Sequence, residues 1–125
     1  MDDTWALAMA LRIPDFELKY ILTAGPGDHD ERASIVRALV IAAGQMSASP
    51  VIGLGSDRIP KPDSRPTFLH GWAESWGQHA VGETIDDGVG YLISLVEAAP
   101  NRVLLLGIGP MGNLAELLRR RSDLA

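Results

Sequence analysis

Segments typical of helices alternate along this chain with short apolar segments typical of strands, and this order restricts the fold class. Residues 4–13 are rich in Ala, Leu and Met and end at Pro14, which predicts a helix. Residues 31–44 carry apolar side chains at helical spacing and close on Gly44. The segments "FELKYILTA", "PVIGLG" and "RVLLLGI" predict strands, and residues 84–99 and 112–121 predict two further helices. The order predicts an α/β fold: an open parallel sheet with flanking helices, Rossmann-like in type.

Polar residues at the predicted helix starts are candidates for capping free backbone N–H groups. A carboxylate or amide oxygen accepts such N–H groups, and a carboxylate also suits the positive end of the helix dipole. The candidates, from the first helix to the last, are Asp2 or Asp3, Asp28 and Asp30, Asp86 and Asp87, and Asn113.

Length and composition narrow the class of protein. A chain of 125 residues suits one domain, and residues 1–125 are interpreted as a single unit. The net charge of −5, with basic residues scattered apart from Arg119, Arg120 and Arg121, argues against a nucleic-acid partner. Without cysteine, neither a disulfide framework nor a thiolate metal site is possible. The apolar runs are short for a membrane span, and the acidic start is unlike a signal peptide, so we expect a soluble cytoplasmic protein.

The first predicted helix is apolar nearly all round and should be covered on most sides. Doubly wound α/β domains usually begin with a strand that leads into their first helix. Here the helix comes first, so we expect the chain to represent an incomplete domain.

Three motifs carry possible chemistry, each with a simpler structural interpretation. Gly107, Gly109 and Gly112 match G-x-G-x-x-G between a predicted strand and helix, but no second strand with an acidic end follows. Dinucleotide binding therefore stays a minor alternative to a tight packing turn. His70 lies in a long Pro- and Gly-rich loop, residues 56–83, where it contacts a ligand or simply packs. Asp2 and Asp3 cap a helix or contribute to a metal site, although calcium needs six to eight oxygen ligands.

The segments "MDDTWALAMALRIPDFELKYILTAG", "FLHGW" and "VLLLGIGPMGNLAELLRR" resemble, in order and spacing, the N-terminal part of the inosine–uridine nucleoside hydrolases. In that family an acidic loop of the form D-x-D-x-G-x-D-D leads into the first helix, and a later strand ends in T-G-P-x-x-N. Asp2 and Asp3 match the double aspartate, and residues 108–113 match the second motif. The resemblance covers nearly all of this chain but well under half of a typical member.

The resemblance implies calcium-dependent hydrolysis of the N-glycosidic bond of a ribonucleoside, giving ribose and free base. By matched position, Asp3 and the backbone carbonyl of Ile108 would be calcium ligands, while Asp2 and His70 would contact the substrate. The first strand, the general base and the leaving-group acid have no counterpart in this sequence. We therefore expect a partial nucleoside hydrolase-like domain that has little or no activity alone.

A second hypothesis, from another class, is a non-catalytic binding or assembly module that meets a partner through an exposed sheet edge or the aromatic loop. Loss of the first strand would leave apolar surface uncovered and allow homo-oligomers. In the family that strand lies between the strands matching "KYILTA" and "VLLLGI". These two segments should therefore pair directly or leave a gap between them.

Overall fold

The computed structural model describes residues 2–25, 27–44, 49–56 and 83–124. In chain order the elements are α1 (Asp2–Ala10), β1 (Tyr20–Leu22), α2 (His29–Ala42), β2 (Val51–Gly53), α3 (Gly88–Ala98) and α4 (Gly112–Arg120), followed by a 3-10 turn at Ser122–Leu124. Helices and a parallel sheet thus alternate, as the sequence predicts for an α/β protein.

The sheet in the described part of the chain consists of β1 and β2, which run parallel. Ile21 pairs with Ile52, and a further parallel bridge joins Gly53 to Ile85 on the far side of β2. The carbonyl of Lys19 and the N–H of Thr23 bond to β2. Because successive residues of a strand face opposite edges, Tyr20 and Leu22 direct their backbone groups away from β2.

Two apolar clusters hold the helices on the sheet. Leu7 of α1 and Leu11, which directly follows this helix, pack with Val40 of α2, while Ala33 of α2 packs with Ile52 and Leu54 at β2. The core therefore lies between α1, α2 and the two strands. No helix among the described residues is long and apolar enough to cross a membrane.

The predicted starts and ends of the middle helices are largely confirmed. The Asp28 carboxylate caps α2 by accepting the N–H groups of Asp30 and Glu31 at 3.0 and 3.1 Å. Gly44 follows the same helix with φ +77°, a conformation that suits glycine. Asp87 is the N-cap of α3, one position before its first turn, and accepts the N–H of Gly90.

The first helix differs from its prediction in three ways. It ends at Ala10, four residues before Pro14. It begins at Asp2, so Asp2 and Asp3 lie in the first turn rather than at the cap position. Trp5 and Met9 are exposed, so the helix is covered on one side only. The expectation of burial on most sides was wrong because apolar composition alone does not show where covering elements lie.

The predicted strand "RVLLLGI" was also wrong for the described structure. Residues 102–108 belong to no helix or strand, and Leu104 and Leu106 are 74% and 62% exposed. A strand needs a neighbour for its backbone groups, and no strand of the described residues lies between this segment and β1. Of the two expected arrangements, direct pairing is therefore absent among the described residues.

Candidate functional site

Polar groups meet where β1 and β2 end. Thr23 directly follows β1, and its hydroxyl oxygen lies 2.7 Å from Nδ1 of His29, the first residue of α2. The N–H of Gly55, two residues beyond β2, points to both atoms at 3.1 Å. The Thr23 hydroxyl oxygen and Nδ1 of His29 are thus the two possible acceptors for that N–H. Carboxyl ends of parallel strands are the usual place for binding sites in open α/β sheets.

Asn113 joins this group from the first turn of α4. Its Nδ2 donates to the carbonyl of Thr23 at 2.8 Å, and its Oδ1 accepts the N–H of Ser56 at 2.9 Å. The predicted capping role was wrong, since Met111 occupies the N-cap position and makes no side-chain cap bond. The Asn113 amide instead connects the ends of both strands to α4.

Asp3 lies beside the turn that precedes α4. A Cβ added at Gly109 would be 3.8 Å from Oδ2 of Asp3 and 3.6 Å from Cβ of Ala24. Asp3 and the residue after Ile108 are thus brought together from opposite ends of the chain. A second contact joins the same turn to the loop after β1, because a Cβ at Gly25 would be 3.6 Å from Pro110 Cγ and 3.6 Å from an Arg32 guanidinium nitrogen.

The other predicted site residues are Ile108, His70 and Asp2, and the structure describes them to different extents. Ile108 is partly exposed and directly precedes the turn that contacts Asp3. His70 lies outside the described residues, as do Trp72 and Trp76. Asp2 begins α1, and the described structure does not extend to its side chain.

A calcium ion would find an incomplete ligand set among the described residues. They contain no group of three or more His, Cys, Asp or Glu side chains able to hold a metal. Asp3 places one carboxylate beside the turn, whereas calcium takes six to eight oxygens. These residues alone do not fit the ion, and a calcium site would need further ligands.

A separate charged surface lines an open cleft of about 750 Å³ between the end of β2 and the helices α3 and α4. Arg120 binds Asp87 at 2.8 Å and Glu116 at 2.6 Å, and Arg119 also binds Glu116 at 2.8 Å. Hydrogen bonds from Arg119 and then Arg120 lower the pKa of Glu116 to about 2. A carboxylate held ionised in this way is a poor proton donor at neutral pH.

Sequence reasoning missed Thr23, His29 and Gly55 and gave Asn113 a different role. One signal was present, because Thr23 and Ser56 each follow an apolar segment within three residues of the strand end. Polar residues at such positions converge when the strands are parallel and adjacent. Nothing local identified His29, which looked like an ordinary residue near a helix start.

Comparison with known proteins identifies no relative. No family model matches the sequence. No curated protein and no solved structure matches it either.

Proposed function

We propose that this chain supplies part of a nucleoside hydrolase-type active site, on a Rossmann-like α/β domain, and acts on a ribonucleoside. The supporting observation is the approach of Asp3 to the Gly109 turn, with 3.8 Å between Oδ2 and an added Cβ. These positions belong to the two motifs that carry the family resemblance, and they are more than a hundred residues apart in the sequence. Their proximity is what a shared site at the carboxyl end of the sheet requires.

The roles proposed for the matched residues follow from their chemistry. The Asp3 carboxylate and the Ile108 carbonyl are hard oxygen donors of the kind calcium prefers. A bound calcium ion would orient the sugar hydroxyls and a water molecule. Asp2 and His70 would contact the substrate, and carboxylates near the sugar would favour an oxocarbenium-like transition state.

The test compares the 125-residue chain with a version extended by a D-x-D-x-G strand before Met1 and by a C-terminal half after Ala125. We expect weak or absent hydrolysis of inosine and uridine by the short chain and clear turnover by the extended protein. In the extended protein, Asp3→Asn should abolish turnover and weaken calcium binding measured by calorimetry. Asp15→Asn, at an exposed carboxylate away from the turn, is the matched control. An extended protein that binds no calcium, or equal activity in the two variants, would overturn the proposal.

A second candidate, an assembly module that binds another copy of itself, is favoured by the exposed segment at residues 103–108. Val103, Leu104, Leu105, Leu106 and Ile108 are all more than 40% exposed. The segment has no charged side chain, and the only flanking charge is on Arg102. Antiparallel pairing of two copies would place the two arginines at opposite ends, so that like charges do not meet.

Light scattering after size exclusion tests this candidate. The self-pairing hypothesis predicts a dimer whose population rises with protein concentration, because backbone groups and apolar side chains become buried together. Leu104→Lys should shift the protein to monomer, whereas Ser94→Lys, on the exposed face of α3, should not. A wild-type protein that stays monomeric at every concentration tested contradicts self-pairing.

A further inference from the structure

We propose that Asn113 is a positioning residue, which fixes the turn at residues 107–112 against the ends of β1 and β2. Its amide lies where both strands have finished pairing, and it is only 8% exposed. The donor and acceptor it satisfies, the Ser56 N–H and the Thr23 carbonyl, both lie beyond the paired strand residues. The Thr23 carbonyl is buried at this bond, and a buried carbonyl left without a hydrogen-bond partner costs about 1–3 kcal/mol.

The side chain required here must donate and accept at once. An amide does so with a donor on Nδ2 and an acceptor on Oδ1. An ionised carboxylate at position 113 would still accept the N–H of Ser56 at the position of Oδ1. Its second oxygen would face the Thr23 carbonyl oxygen, now 2.8 Å from Nδ2, without a proton between them. Aspartate at position 113 therefore has nearly the same shape as asparagine but should not be able to bind the Thr23 carbonyl.

On its N-terminal side, the turn follows residues 102–108, a segment that forms no β-ladder with the described strands. On the α4 side it is anchored by Asn113 and by Leu117, which is almost fully buried. Gly109 and Pro110 then lie against Ala24 and Gly25 at the end of β1.

One consequence rests on the proposed function: the same bonds would keep the turn that follows Ile108 beside the Asp3 carboxylate. The positioning of the turn is independent of that function. The separation of Ala24 and Gly109 reports this positioning, and it can be measured without metal or nucleoside.

A disulfide between Ala24→Cys and Gly109→Cys provides the measurement. The Cβ separation of 3.6 Å suits a disulfide, whose Cβ atoms are about 3.5–4.5 Å apart. The chain has no cysteine of its own, so the two new thiols are the only ones present. Their effective concentration, measured by equilibration with oxidised and reduced glutathione, reports how firmly the turn is held.

Asn113→Ala and Asn113→Asp should each lower this effective concentration by about tenfold or more, since bonds to both strands are lost or weakened. Asn101→Ala, at an exposed amide, should leave it unchanged. Equal effective concentrations in the Asn113 and Asn101 variants, in samples that circular dichroism shows to be folded, would overturn the proposal.

A second measurement applies where the reduced Asn113→Ala protein folds but is less stable than wild type. The drop in Tm caused by Asn113→Ala should be smaller in the oxidised protein than in the reduced one, because the disulfide now holds the turn. An equal drop in both states would show that Asn113 acts by general packing, and would also overturn the proposal. Neither outcome depends on hydrolysis or calcium binding, so failure of the proposed function would be seen separately in the Asp3→Asn comparison.

Discussion

Gly55 is the position at which a single added methyl group should do most harm to the candidate site. A Cβ there would lie 2.2 Å from the Thr23 carbonyl oxygen, 2.8 Å from Oδ1 of Asn113 and 2.9 Å from Cε1 of His29. The nearest of these atoms is backbone and cannot move without displacing the end of β1. The others belong to buried side chains that hold the strand ends together.

The expected cost of Gly55→Ala has two parts. Inserting a methyl group into a filled space costs about 1–3 kcal/mol through displaced neighbours. The displacement also weakens the bonds from the Gly55 N–H to Thr23 and His29, and an unsatisfied buried group adds about 1–3 kcal/mol. We expect the free energy of unfolding to fall by about 3 kcal/mol and Tm by roughly 10 °C.

Gly109→Ala is the matched control, because its added Cβ would meet only ordinary contacts at 3.6 and 3.8 Å. Its free energy of unfolding should stay within about 0.5 kcal/mol of wild type, as for most tolerated surface changes. Urea unfolding followed by far-ultraviolet circular dichroism measures both variants at 15 °C. Two results would contradict the expected clash at Gly55. One is a fall of less than about 1 kcal/mol in the free energy of unfolding of Gly55→Ala; the other is an equal fall in Gly109→Ala.

Three further predictions concern polar groups. Thr23→Val should lower the free energy of unfolding by about 1–3 kcal/mol, because it removes a buried hydroxyl. Thr23→Ser keeps the hydroxyl and should keep most of the stability. Equal urea midpoints for these two variants would contradict the prediction. Tyr20→Phe should cost about 1 kcal/mol, because the Tyr20 hydroxyl donates to the Gly88 carbonyl at 2.8 Å. Burial, followed by the neighbouring tyrosine and aspartate, raises the pKa of Tyr20. The folded state therefore keeps a proton that the unfolded state releases near pH 10, so wild-type urea midpoints should fall above that pH more steeply than those of Tyr20→Phe. Hydrogen bonds led by Arg119 lower the pKa of Glu116 to about 2, so its contribution to stability is present above the ordinary value of 4.5 and is lost between about 4.5 and 2. With Glu116→Gln, the free energy of unfolding should depend less on pH over that range. An unchanged pH dependence would show that the ion pairs of Glu116 contribute nothing measurable to stability.

Local signals were enough to predict the presence of the four helices and of β1 and β2. The capping carboxylate of Asp28 and the left-handed Gly44 delimit α2 through interactions within a few residues, so the sequence alone predicts them. The segment at residues 102–108 has equally strong strand composition, yet it forms no strand in the described structure. Its strand character depends on a neighbouring strand, and composition cannot show whether one is present.

The same distinction explains why the role of Asn113 could not be predicted from the sequence. An asparagine near a helix start usually caps that helix, because the nearest unpaired N–H groups belong to it. Here the strand ends present a free carbonyl at Thr23 and a free N–H at Ser56 on either side of the amide. Those partners lie 90 and 57 residues away in the chain, and only the parallel pairing of β1 and β2 brings them together. A side chain that satisfies both stabilises the strand ends more than a cap on exposed N–H groups, which water can also satisfy. The arrangement of the sheet therefore decides which partners the Asn113 amide binds.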